Sequence, residues 1–507
     1  MFDELATTLR IDGQRPAVLA TTSIGRTVIR ATRGELADLA DGYAAALHRH
    51  GLRRGDTVAF AARPGPLPLA VSLAAHRLGL RIAAIDPTAG PDVILARLTL
   101  AEPRLVLADA AAQAVAGWAR TLAGRLHLAL PDLTALGPLA AVGPRLPGCA
   151  PVLAPASPSG AAVPDFRGED GDAVVVFTSG TTSRPRAVVH TWASLDAGMR
   201  TVAELVRPQP SALVLGGVLL VLVPALASRA TVALPARSSR SLVRQLRRLR
   251  PQETYLTPPQ LRGALAAAAR FKGRVWSGSA PVTAELLDRG KRAGATQAWG
   301  VYALTEMFPV AVVEGAEKAA YAAGTAGGDL AGDLVPGVEA RLDSAGQLLL
   351  AGPAAANRYL GEPPSRWVAT GDVARLERQG GATKVVLGGR CKDMILRGAE
   401  NIYPGLYEPA LHVPGVNLAV LVGVPAADGD ERLVAIVEPQ RGTDPVRLAE
   451  ALEGPMLRMG AARPDALFFA RVPLAGRSRK PDRQAAALMG AARLAMVARE
   501  RDRSWPS

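Results

Sequence analysis

The sequence predicts an α/β protein built as a large first unit followed by a small α+β unit. Three observations predict it. From Thr27 to about Thr305, short apolar runs alternate with helix-patterned stretches, the signature of parallel sheets covered by helices. From Leu334 the pattern changes to period-two runs joined by turns, the mark of an antiparallel module. A glycine-flanked charged block, Gly388-Gly389-Arg390-Cys391-Lys392-Asp393, then leaves about 115 of the 507 residues, enough for a small domain. A chain this long exceeds one hydrophobic core, so residues 1–389 and 390–507 are expected as separate units.

The first elements read as scaffold. Thr27-Val28-Ile29-Arg30 is a strand. Thr32 can cap a helix from about Gly34 to His50, with Leu36, Leu39, Ala40, Tyr43 and Leu47 on its apolar face. Gly51 to Asp56 is a turn and Thr57-Val58-Ala59-Phe60 a buried strand. Another helix leads to the strand Arg81-Ile82-Ala83-Ala84, and Leu105-Val106-Leu107-Ala108 repeats the theme. Pro, Gly and Ala crowd residues 138–171, which read as an irregular linker.

An apolar run, Ala173 to Phe177, then feeds a loop unlike its neighbours. Thr178, Ser179, Gly180, Thr181, Thr182, Ser183, Arg184, Pro185 and Arg186 supply five hydroxyls, one glycine and two arginines. Small hydroxyl residues and glycine let N–H and O–H groups converge on phosphate oxygens, and arginines add multi-donor positive charge. The alternative is an ordinary polar turn. The Gly-x-x-x-x-Gly-Lys pattern of the common nucleotide loop is absent. Val188-Val189-His190 and a helix from about Trp192 follow.

Residues 208–228 carry no charge and approach the roughly 20 residues of a membrane span. Pro208, Pro210, Gly216, Gly217 and Pro224 interrupt them, so a buried helix over 213–223 is the expectation. Arg240, Arg244, Arg247 and Arg248 fit one solvated helix face. Gln252 to Pro259 is a strand and turn before a helix at Gln260 to Phe271. Arg274 to Pro281 is a strand ending in Ser277-Gly278-Ser279, which admits a ligand close to the backbone. Tyr302, Thr305 and Glu306 place a ring, a hydroxyl and a carboxylate within five residues, a weak signal alone for a base and a magnesium ion.

Hairpins are expected across Ser344-Ala345-Gly346 and across Gly380-Gly381, with Thr370-Gly371-Asp372 between them. In the last unit Val416 to Pro425 and Leu433 to Pro439 read as strands. Leu448 to Met459 and the tail beyond about Gln484 read as helices.

Composition bounds the function. The chain is 49% hydrophobic, with 59 basic against 45 acidic residues and a net charge of +14. That excess favours anionic partners such as nucleotides, CoA, carrier proteins or a membrane surface. No zinc spacing or nucleic-acid module occurs, and nucleic-acid binding is not expected. Two cysteines, Cys149 and Cys391, make no disulfide framework. Without a basic start and apolar core at Met1-Phe2-Asp3-Glu4, a cytoplasmic location is expected.

Six stretches, in this order, resemble the superfamily of adenylate-forming enzymes: acyl-CoA synthetases, nonribosomal-peptide adenylation domains and firefly luciferase. They are Thr178 to Ala187, Ser277 to Pro281, Tyr302 to Glu306, Thr370-Gly371-Asp372, the Gly389 to Pro404 block and Lys480-Pro481-Asp482-Arg483. The resemblance implies a barrel-like module within the large unit and a mobile second domain. It implies ATP, magnesium and CoA, or the phosphopantetheine of an acyl-carrier protein, as cofactors. It places Thr178, Ser179, Gly180, Thr181, Thr182 and Arg186 on the phosphates and Glu306 with Thr181 on magnesium. It sets Ser277, Gly278, Ser279, Ala280, Pro281, Tyr302 and Thr305 on the adenine side. Asp372 and Arg390 are implied at the ribose, Lys480 as the cation reaching in during adenylation, and Lys392 as the hinge that presents Gly398 for thioester formation.

The chain departs from the family pattern at several points. Ser183, Ala187, Ala303 and Arg479 stand where glycine is usual, and Arg186 where lysine is usual. Gly216-Gly217 lacks the usual gating aromatic or histidine. The segments that form the acid pocket in this family supply Leu, Val, Gly and Ala here. They offer no aspartate for an α-amine, and burying an unpaired ammonium would be costly. The expected activity is therefore activation of a hydrophobic, fatty carboxylic acid and its transfer to CoA, in a monomer or homodimer. The alternatives are an aryl-acid or carrier-loading ligase, a β-lactone synthetase, and a non-catalytic acyl- or nucleotide-binding homologue.

Overall fold

The structure is a computed structural model. It describes residues 1–22, 25–85, 91–118, 130–157, 162–177, 187–324, 327–397, 400–426, 431–476 and 479–503. Two large sheets dominate it, with helices packed on them, as the alternating pattern predicts.

Among the described residues the smaller of these sheets has seven strands. Its centre is parallel: Leu139–Val142, Leu105–Asp109, Thr57–Ala61, Arg81–Ala84 and Asp172–Phe177, with Ala187–Thr191 and Arg358–Tyr359 antiparallel at one edge. Leu139–Val142 lies inside the stretch read as linker. Its short apolar run is enough to extend the parallel ladder beside Leu105–Asp109. The larger sheet has thirteen described strands. A parallel half runs through Leu213–Leu215, Glu253–Leu256, Arg274–Gly278 and Ala298–Tyr302. An antiparallel half continues through Ala311–Glu314, Asp329–Leu334, Ala382–Arg390 and Val368–Gln379. The module expected from Leu334 is thus present and hydrogen-bonded onto the parallel half.

Local chemistry sets the ends of the elements. Thr32 caps the helix Arg33–Arg49 in a capping box: its Oγ1 accepts from Glu35 N, and Glu35 Oε2 accepts from Thr32 N. Thr257 and Gln260 form another box that starts the next helix at Pro258, two residues before the sequence expectation, because proline suits a first helical position. The largest correction concerns 213–223. The expected single helix is a strand, Leu213–Leu215, and a separate helix, Leu219–Ala227. Gly216 lies between them: a Cβ there would meet Val221 Cγ1 at 2.8 Å, so any side chain at 216 would force that valine to shift. Among the described residues no helix is long and apolar enough to cross a membrane.

Residues beyond Ile395 have apolar cores of their own. The strands Val416–Pro425, Glu431–Pro439 and Ala466–Phe469 form a sheet, buried on one face by Leu411, Leu448 and Leu452 and on the other by Val472 and Ala486. The helices Pro445–Leu457 and Arg483–Arg503 flank it.

Candidate active site

The strands Arg274–Gly278 and Ala298–Tyr302 lie side by side in parallel, with Gly278 opposite Val301. A Cβ on Gly278 would come within 2.8 Å of Val301 O, so this position needs glycine. Ser277 is fully buried and its Oγ donates to Leu256 O at 2.9 Å. Ser277 and Gly278 therefore stand behind the cavity wall, while Ser279, Ala280 and Pro281 line it. Ser279 occupies the left-handed region at φ +74°, a conformation natural to glycine, and its hydroxyl is 2.8 Å from Tyr255 Oη.

Across the cavity, Asp372 faces Arg390 in the register of the antiparallel pair Val368–Gln379 and Ala382–Arg390. That register places opposite charges side by side: Arg390 Nε donates to Asp372 Oδ1 at 2.7 Å. Tyr302 Oη donates to the other carboxylate oxygen at 2.6 Å. Thr370 sets the approach, donating from Oγ1 to Leu348 O and accepting from Asp372 N. Gly371 adopts φ +72° with open space where a side chain would stand. Burial, followed by the Asp372 charge, holds the Tyr302 phenol well above its ordinary pKa. Burial opposes the charge on Arg390, but Asp372 outweighs it and raises the guanidinium.

Thr305 and Glu306 line the same cavity. Buried His190 holds this turn from behind, its Nε2 2.8 Å from Thr305 O and its Nδ1 3.0 Å from Ser194 Oγ. Tyr359 Oη donates to Glu306 Oε1 at 3.0 Å. The sequence reading missed His190, Tyr359 and Tyr255. Their partners lie 115, 53 and 24 residues away, and nothing local marks such pairings.

Lys480 enters from the small unit on a two-residue strand paired with Leu474–Ala475. Its side chain stays open to the cleft's solvent. Burial by the surrounding walls lowers its pKa, Arg390 adds to this, and Asp372 and Glu306 oppose it. Arg479 before it sits at φ +50°, keeping a glycine-like backbone without glycine. Lys392 lies exposed on a short 3-10 turn, Cys391–Asp393. Arg483 ties this turn to the small unit: Nε pairs with Asp393 Oδ2 at 3.0 Å, and Nη1 and Nη2 donate to Glu408 at 2.6 and 2.8 Å. Burial disfavours its charge, yet Glu408 and Asp393 raise its pKa.

Thr178, Ser179, Gly180, Thr181, Thr182, Ser183 and Arg186, expected from the sequence to form a phosphate loop, lie outside the described residues, as does Gly398. The strands on either side of the loop are described, and they pair antiparallel with Phe177 opposite Ala187. Among the described residues no three metal-ligating side chains cluster. Cys149 is buried, Cys391 exposed, and both are free thiols.

The donor set fits a nucleotide. Each Asp372 oxygen accepts one hydrogen bond from the protein and keeps a lone pair for another. A single half-buried carboxylate, Glu306, suits a magnesium ion that takes its remaining ligands from phosphate and water.

A family model described as "AMP-binding enzyme" matches residues 8–360. Feruloyl-CoA synthase from Amycolatopsis sp is 28% identical over 312 residues, 54% of this chain and 61% of that protein. This chain thus spans less than two thirds of the length of that relative. Indoleacetate–CoA ligase from Aromatoleum aromaticum is 27% identical, over 90% of this chain and 94% of its own. The fold is also that of the amide bond synthetase McbA from Marinactinospora thermotolerans, with TM-score 0.75 and 22% identity, covering 96% of this chain and 99% of that one.

Proposed function

The chain belongs to the AMP-binding enzyme family, and from that premise we propose that it activates a hydrophobic carboxylic acid with ATP and passes the acyl group to CoA. The observation that carries this reading is the convergence of Tyr302, Asp372, Arg390 and Lys480 on one cavity that Leu222, Val282 and Phe308 also line.

In the first half-reaction an acid oxygen attacks the α-phosphorus of ATP. The bond to pyrophosphate breaks, pyrophosphate leaves and an acyl-adenylate remains. Negative charge builds on phosphate oxygens, so the residues' work is positioning and cationic stabilisation. Asp372 accepts from the ribose hydroxyls, oriented by Tyr302 and Arg390. The Tyr302 ring lies beside the adenine. Lys480 supplies positive charge from the small unit, and the 178–186 loop, with Arg186, holds the phosphates. Glu306 would hold magnesium, steadied by Tyr359, and the ion would neutralise charge on the phosphates. In the second half-reaction a thiolate attacks the acyl carbonyl and AMP leaves. Residues 390–507 act as a separate domain turning about Lys392 between the two steps.

Feruloyl-CoA synthase and indoleacetate–CoA ligase carry aryl acids in their names, so an aryl acid is the second reading beside a fatty one. ATP–pyrophosphate exchange with a panel of fatty and aryl acids tests the proposal. Acid-dependent exchange supports it, and silence across the panel sinks it. CoA-dependent AMP release then distinguishes transfer to CoA from transfer to a carrier thiol or an amine.

A further inference from the structure

We propose that the helix Ser239–Leu249 seats one mouth of the cavity against an anionic lipid surface. The inference rests on the reading that a hydrophobic acid enters this cavity, and it names where that acid is collected. Arg240, Arg244, Arg247 and Arg248 recur at helical spacing on one side of the helix, and all four are exposed. Arg237 and Arg250 flank it, exposed as well. No acidic residue occurs between Glu204 and Glu253. Glu253 itself is buried and taken by Arg274 and Trp276. The edge of the thirteen-stranded sheet adds exposed Arg26: beside it, a Cβ on Gly25 would stand 3.7 Å from Arg244 Nη1. Among the described residues none of these guanidinium groups has a carboxylate partner, and Arg244 donates to the Ser241 hydroxyl at 3.3 Å. Like charges crowded in this way repel one another, and a polyanionic partner relieves the repulsion.

The same helix borders the cavity. Ser239 and Ser241, in its first turn, line it together with half-buried Leu219, Leu220 and Leu234. Arg237 lines it too and is exposed, so the cavity meets solvent beside the arginines. A lipid surface suits this face better than a protein does. Leu242 and Leu246, on the opposite side of the helix, are packed into the core with Phe271. The helix keeps no large apolar side chain exposed. A protein interface has an apolar centre that is poor in charge, which this face does not offer. The contact is electrostatic, the mode in which arginine and lysine clusters hold anionic leaflets. A bilayer is also where a hydrophobic acid concentrates, so docking brings the mouth to the acid.

Sedimentation of the full chain with vesicles, without ATP or acid, tests this. The chain should bind vesicles of equal parts phosphatidylcholine and phosphatidylglycerol, ignore phosphatidylcholine alone, and release in about 0.5 M salt. Replacing Arg244, Arg247 and Arg248 together by Gln should weaken binding at least about tenfold. Replacing exposed Arg49, Arg432 and Arg441 by Gln removes the same charge elsewhere and should change binding less than about twofold. A second readout needs no variant to fold. Mixed vesicles should slow labelling of Arg244, Arg247 and Arg248 by an arginine-selective dicarbonyl, read by mass spectrometry, and leave Arg49 unchanged. Binding to neither vesicle, equal binding to both, equal weakening by the two sets of substitutions, or unslowed labelling at the three arginines overturns the proposal. An acidic acyl-carrier protein that shields these arginines where vesicles do not would assign the face to a protein and overturn it equally. Because these measurements contain no ATP, a failed exchange assay leaves them readable, and absent vesicle binding leaves the ligase reading standing.

Discussion

Tyr302 donates its phenolic proton to Asp372 at 2.6 Å, joining two strands across 70 residues of chain. The carboxylate cannot rotate freely, because Arg390 holds its other oxygen. Tyr302→Phe should leave the fold intact and loosen the carboxylate. A lost hydrogen bond to a charged group is worth about 1.5–3 kcal/mol, so the KM for ATP should rise by roughly ten- to a hundredfold. Steady-state kinetics at saturating acid checks this. An unchanged KM would mean that Asp372 is positioned without Tyr302.

Lys480→Ala should cost most of the adenylation rate and little of thioester formation from a supplied acyl-adenylate. Equal loss in both half-reactions would remove Lys480 from its proposed step. The lowered pKa adds a pH test. A lysine with a lowered pKa sheds its charge at a lower pH than a free one, so adenylation should decline early on the alkaline side. Lys480→Arg, whose guanidinium stays charged, should move that decline upward.

Arg483 answers Glu408 and Asp393 together. Arg483→Met strands the Glu408 carboxylate in a largely buried site, which typically costs about 3–5 kcal/mol. Limited proteolysis should then cut within residues 395–503 well before the larger unit. Uniform resistance to protease would place the stability of the small unit elsewhere.

Ser279 at φ +74° should accept glycine easily and a β-branched residue badly. Ser279→Val should lower stability by about 1–3 kcal/mol through backbone strain, read as a lower denaturant midpoint. Tyr255→Phe removes the hydrogen bond alone and should show a smaller shift.

His190 is buried between Ser194 and Thr305, and burial lowers its pKa. The unfolded chain protonates this ring near pH 6.5 while the folded chain resists until lower pH. Below about 6.5 the unfolded state therefore binds more protons, and stability should fall as pH falls. Urea midpoints at pH 7.5 and 5.5 should differ by less in His190→Gln than in the native chain.

Much of the architecture was legible because its cues are local. Thr32 announces its helix, and the turns at Ser344-Ala345-Gly346 and Gly380-Gly381 announce their hairpins. The run at 213–223 misled because a uniformly apolar segment has no period. Gly216 stands at the break, and its closeness to Val221 exists only in three dimensions. The cavity-lining residues Tyr302, Asp372, Arg390 and Lys480 were findable from motifs. Other contacts were not: Tyr359 holds Glu306, His190 holds Thr305 and Tyr255 holds Ser279 through tertiary contacts that leave no mark in the chain.

The cross-strand pair of Asp372 and Arg390 has a thermodynamic consequence. Arg390 is two residues from Lys392, so the turn proposed about that lysine would begin beside a guanidinium already bound to Asp372. If nucleotide binding changes the strength of that pair, linkage obliges the pair to change nucleotide affinity by the same factor. One ion pair would then make the angle of the small unit and the occupancy of the nucleotide site two readings of a single equilibrium.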